Sequence, residues 1–74
     1  MRQNHGMADQ WKTTTLQEVR AGDRVRYRGS EFVVARVDVP FLGRAEMGCL
    51  IEDTPERWHA YPGPLGGEID VLER

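Results

Sequence analysis

At 74 residues, with a net charge of −2 and a pI near 5.6, the chain has room for one domain and lacks the basic excess of most nucleic-acid binders. Apolar residues make up 39% and charged residues 30%, an ordinary balance that excludes disorder throughout. Cys49 is the lone cysteine, so no internal disulfide forms, and no apolar run approaches the roughly 18 residues that span a bilayer.

An unpaired thiol without a secretory leader points to a reducing compartment, hence the cytoplasm. Residues 1–13 are polar and aperiodic, so a flexible N-terminal tail is expected there and a single domain over 14–74. Met7 offers a second start within that tail, and Trp11 is its one large side chain that would dock. Thr15-Leu-Gln-Glu18 has the spacing of a capping box, and it predicts one helical turn with Leu16 and Val19 on one side. Gly22 then suits the positive φ at which such a turn ends.

Arg24-Val-Arg-Tyr-Arg28 alternates strictly and predicts a half-buried strand. Gly29-Ser30 suits a two-residue type II′ hairpin, which would set Tyr27 opposite Phe32 and Val25 opposite Val34. The return strand, Glu31-Phe-Val-Val-Ala-Arg-Val-Asp-Val39, is apolar on both faces. It must be covered on both, or bend so that its halves serve different sheets; in a chain without covering helices, it bends. Pro40-Phe-Leu-Gly-Arg-Ala-Glu46 reads as a loop. Further strands are expected at Met47–Glu52, Arg57–Tyr61 and Glu68–Glu73, with a turn at Asp53-Thr-Pro-Glu56. Pro62-Gly-Pro-Leu-Gly-Gly67 is expected to be irregular.

Five short strands, tight turns and no long helix predict an all-β domain. The form is a small five-stranded barrel or a strongly bent antiparallel sheet with one short helical turn. Leu16-Gln-Glu-Val-Arg-Ala-Gly-Asp-Arg-Val-Arg-Tyr-Arg-Gly29, followed by Phe32-Val-Val-Ala-Arg-Val37, resembles the opening of many SH3-like barrels. Those barrels commonly begin with Gly-Asp, an alternating strand, a glycine turn and a longer apolar strand. The resemblance covers residues 16–37 and implies the fold alone.

Two constellations suggest partners. Tyr27, Phe32, Trp58 and Tyr61 are the aromatics of the strands, and the hairpin pair Tyr27 and Phe32 reads as core. Trp58 and Tyr61 fall on opposite faces of a regular strand, so one of them is expected at the surface. With Phe41 and Leu42, large apolar residues in a loop, they are the candidate contacts for another protein; the loop pair reads first as folding back to plug one end of the barrel, and as an exposed patch for a partner otherwise. The alternative site is basic. Arg24, Arg26 and Arg28 share one face of a strand, Arg36 would join them from its neighbour, and such a patch suits nucleic acid or an acidic partner. Its plainer reading is a solvated face paired with nearby acids, and residues 38–74 do carry eight acids against three arginines.

Cys49, His5 and His59 are the soft metal ligands, too few for a closed zinc site even if Cys49 and His59 met across a hairpin. Glu52, Asp53 and Glu56 cluster around a turn in the manner of solvated acids. No convergent catalytic set, cofactor loop or metal motif is visible. The expected function is therefore a non-catalytic protein-interaction module without cofactor or membrane attachment. A nucleic-acid-binding barrel and an accessory subunit of an enzyme are the alternatives, and a homodimer through an open sheet edge is compatible with each.

Overall fold

The computed structural model describes residues 10–73. Its strands, in chain order, are β1 (Trp11–Thr15), β2 (Arg24–Tyr27), β3 (Ser30–Val33), β4 (Arg36–Asp38), β5 (Met47–Thr54), β6 (Arg57–Pro64) and β7 (Glu68–Leu72). One 3-10 turn, Leu16–Glu18, follows β1. The strands form two antiparallel sheets, ordered β1-β7-β2-β3 and β4-β5-β6. The all-β expectation therefore holds, in its strongly bent form. The five expected strands are all present, one of them divided into β3 and β4, and β1 is added to them.

The division is where the apolar pattern demanded a bend. Val34 N–H donates to Asp23 O at 2.9 Å, beside the start of β2, whereas Ala35 N–H donates to Ile51 O at 2.7 Å on β5. Phe32 and Val34 are buried on one side of this junction, and Val37 packs against the core on the other. The inward alternation thus slips by one residue at the bend. Val33 and Val39, which flank the inward set, are left 41% and 50% exposed.

The first hairpin corrects the expected register. Its turn is Arg28-Gly29, with φ of 52° and 79°, and not Gly29-Ser30. Both central residues are left-handed, the type I′ form whose twist matches the flanking strands. Val25 consequently pairs with Phe32 and Tyr27 with Ser30. The shift is two residues, so every side chain keeps its face, and Val25, Tyr27 and Phe32 are all buried as expected.

The domain boundary also moves. Strand β1 pairs along its whole length with β7, from Trp11 opposite Leu72 to Thr15 opposite Glu68, so the boundary expected at residue 14 falls inside a strand. Residues 1–9, which include His5 and Met7, lie outside the described residues. The Arg26 guanidinium sits 3.9 Å from the centroid of the Trp11 ring, a cation–π contact that docks this aromatic on the outer face of the first sheet. Thr15 makes no side-chain cap bond, so the capping box does not form. Backbone bonds hold the turn instead, from Leu16 N–H to Gly67 O at 2.9 Å and from Gln17 N–H to Leu65 O at 3.0 Å.

Pro62, Gly63 and Pro64 are a further correction, because all three belong to β6. Proline is compatible with an edge strand when its missing N–H faces solvent. Pro62 and Pro64 are two residues apart and so present the same edge, and among the described residues β6 has a neighbour only on its other side. The core between the sheets consists of Leu16, Val19, Val25, Tyr27, Phe32, Val34, Leu50, Tyr61 and Ile69. At its centre Phe32 and Tyr61 stack with ring centroids 4.0 Å apart and planes within 9°.

Candidate docking surface

Loop 39–46 is built as tightly as the hairpins. Phe41 and Arg44 form a bridge, Arg44 N–H donates to Phe41 O at 3.1 Å, and the two residues between them are left-handed, Leu42 at φ 54° and Gly43 at 73°. Phe41 N–H donates to Met47 O and Met47 N–H to Arg44 O, each at 3.1 Å, while an Arg44–Glu46 ion pair braces the return. The loop thus holds its tip in one orientation. Phe41 is half-buried beneath it, and Leu42 stands out with 82% of its surface exposed. The expectation that both residues fold back to plug the barrel end fails for Leu42.

Leucine is an expensive choice for that tip. A left-handed backbone brings Cβ close to the following carbonyl at a cost of about 1–2 kcal/mol, which Gly avoids and Asn largely offsets by local hydrogen bonding. Water also gains nothing from an exposed isobutyl group. The residue is unfavourable for the turn and for the solvent, a combination that points to use elsewhere.

The other aromatic candidates part company. Trp58 is 58% exposed on β6, opposite Asp53. Tyr61 is buried, stacked on Phe32, and its hydroxyl donates to Glu52 Oε1 at 3.1 Å while accepting from Arg57 Nη2 at 3.2 Å. Arg57 Nε reaches the same Glu52 oxygen at 3.0 Å. Tyr61 is therefore a core residue with an anchored hydroxyl and no part of a contact surface. The ribbon of β5 and β6 also separates Leu42 from Trp58. The loop joins β5 at Met47 and Trp58 pairs six residues further along, about 20 Å away at strand spacing. The sequence placed the four residues together; the fold makes two patches, at opposite ends of the second sheet.

The arginine face is largely neutralised. Arg24 and Arg26 flank Glu31 across the β2–β3 pair, at 3.2 and 3.3 Å. Arg36 does not join them, since the bend carries it to β4 in the other sheet, where it pairs with Asp38 at 3.5 Å. Arg28 sits at the turn, 5.5 Å over the Tyr27 ring, and makes no ion pair among the described residues. Next to it the β2–β7 ladder ends at Arg26 opposite Asp70, leaving a groove of about 520 Å³ between Tyr27–Arg28 and Glu68–Asp70. The groove is mixed in charge, and Asp70 already accepts from Thr13 Oγ1 at 2.7 Å.

Cys49 and His59 do not converge. In the β5–β6 register Leu50 and Tyr61 face the core, so Cys49 and Ile51 lie on the opposite face, whereas His59 shares the Tyr61 face and tilts against that ring at 4.5 Å. Cys49 is fully buried, and burial pushes its thiol pKa up, away from the thiolate that nucleophilic or metal chemistry requires. Of the turn acids, Glu52 is committed to Arg57 and Tyr61. Among the described residues no group of three or more His, Cys, Asp or Glu gathers as a metal site, and no helix is long and apolar enough to cross a membrane.

Leu42 is legible in the sequence as a candidate contact but its left-handed conformation is not; the signal was the Leu-Gly dipeptide after Pro-Phe, an X-Gly turn like Arg28-Gly29. The Trp11–Arg26 stack is likewise hidden in the sequence, because spacing gives no cue to it. No family model matches the chain, and neither a curated protein nor a solved structure shows significant similarity to it.

Proposed function

We propose that this chain is a small protein-interaction module, without catalysis of its own, that docks on another protein by inserting the Leu42 tip into an apolar socket. One observation carries the reading: a leucine 82% exposed in a left-handed turn position, held out by a loop braced on three backbone bonds and an ion pair. A rigid apolar projection loses little entropy on burial, which favours a docking role over a flexible linker. The unpaired, buried thiol of Cys49 suits a reducing compartment such as the cytoplasm. The Gly-Asp opening and the bent second strand support kinship in architecture with SH3-like barrels.

Nucleic acid is the weaker reading. Three of the four arginines of the basic candidate, Arg24, Arg26 and Arg36, are already paired with carboxylates on their own sheets. The test is capture from the native host with tagged wild type and Leu42→Asn, each with and without nuclease and at raised salt. A discrete protein that binds wild type, resists nuclease and salt, and is lost with Leu42→Asn supports the docking role. Retention that depends on nucleic acid and collapses with salt overturns it, because counterion release governs such binding.

A further inference from the structure

Among the described residues strand β6 has a free edge, and the two halves of that edge differ. Thr54 and Arg57 close a two-residue turn, and beyond the far end of β6 Leu65 N–H donates to Glu46 O at 2.9 Å. Hydrogen-bonded pairs recur at every second residue of an antiparallel ladder. The amides of Arg57, His59, Tyr61 and Gly63 therefore point to β5, and those of Trp58, Ala60, Pro62 and Pro64 point away from it. Pro62 and Pro64 carry no N–H, which closes the C-terminal half of the edge to another strand. Trp58 and Ala60 keep theirs. They share the outer face of β6 with the two prolines, so that face carries no charge, and the indole is 58% exposed. The other sheet edges carry charge along their strands: Lys12 on β1, Glu31 on β3, Arg36 and Asp38 on β4. On β6 the charged residue is Arg57 at its first position, turned to Glu52 and Tyr61 on the opposite face.

We infer that the open half of this edge pairs with the same strand of a second copy of the chain, antiparallel about a two-fold axis at His59. In that register Trp58 lies opposite Ala60 of the second copy, and Ala60 opposite its Trp58. Every outward donor and acceptor of Trp58 and Ala60 then finds its counterpart, because the two residues stand symmetrically on either side of the axis. On the outer face each indole covers an alanine, a large side chain against a small one. Pro62 ends the ladder one step further and so fixes the register. A foreign extended peptide meets the same two donors without the reciprocal fit of indole and methyl. The paired stretch is short, so the dimer is weak and depends on concentration.

Sedimentation velocity of the full chain, followed over a range of concentrations, tests this. The expected result is a monomer–dimer equilibrium with a dissociation constant below about 1 mM, weakened at least about tenfold by Ala60→Pro. That substitution removes an outward N–H and no bond to β5; Ala60→Lys, which places a charge on the edge without any backbone demand, gives the same loss if proline perturbs the strand. Leu42→Asn leaves the equilibrium unchanged. A chain that stays monomeric up to about 1 mM overturns the inference, including the case in which the edge serves a foreign strand. So does a dimer that survives both Ala60 variants, or one that Leu42→Asn abolishes.

Discussion

Gly63 lies on the core side of β6, where the Tyr27 ring takes up the space that a side chain would need. A Cβ added at Gly63 would run into the Tyr27 hydroxyl and come within 3.3 Å of Leu16, itself fully buried. Overpacking of this kind costs roughly 1–3 kcal/mol, so Gly63→Ala should lower the urea midpoint, and adding Tyr27→Phe, which deletes the obstructing oxygen, should restore part of it. Equal midpoints for wild type and Gly63→Ala would show that the ring does not pack there. Cys49 makes a second prediction. Burial holds its pKa above the ordinary thiol value, so the unfolded chain ionises first as pH rises. Stability is then level below the ordinary thiol pKa of about 8.5 and falls as pH climbs from there toward the folded value. Cys49→Ala should flatten that alkaline slope in denaturation curves taken from pH 7 to 10; an unchanged slope would assign it to another group. A buried, structural Cys49 was legible in the sequence; the role of Gly63 was not. A glycine between two prolines reads as a breaker, and only the fold puts a tyrosine hydroxyl against it.

Among the elements, the bent strand was legible and the turns were not. A segment apolar on both faces has two physical solutions, and the absence of covering helices selects the bend seen between Val34 and Ala35. The hairpin register escaped because Gly29 serves equally as the first central residue of a type II′ turn or the second of a type I′ turn. The two differ by two residues, a shift that leaves every face unchanged and gives the hydrophobic pattern nothing to choose by. Strand β1 was hidden because Lys12-Thr-Thr-Thr15 has no apolar alternation, only the β-propensity of threonine. The prolines of β6 read as irregular because composition cannot distinguish an edge from an interior strand. At this scale Leu42→Asn should stabilise the protein. Asn accepts the left-handed conformation, and a gain of about 0.5–1 kcal/mol raises the melting temperature by several degrees in a domain of this size. A lower melting temperature would mean that Leu42 packs against its own fold, and the loop would lose its standing as a projection.

For the whole molecule, the sheets undo much of what the sequence suggests about charge. The basic run over residues 20–36 and the acidic C-terminal half look like opposite poles. Pairing interleaves them, with Arg26 opposite Glu31 on one side and Asp70 on the other, and the bend sends Arg36 to a different sheet altogether. The candidate contact residues are redistributed in the same way. Tyr61 goes to the core, Trp58 to the edge near one end of the second sheet and Leu42 to the loop at the other. Large apolar side chains in a loop were visible from sequence, but that Leu42 would project and not fold back depended on the left-handed turn. The most direct measurement is site-specific photocrosslinking in the native host, with a photoreactive residue at position 42 and, for comparison, at position 28 on the arginine face. A discrete protein adduct from position 42 and none of matching yield from position 28 is the predicted result; nucleic acid trapped at position 28, with position 42 silent, would contradict the account.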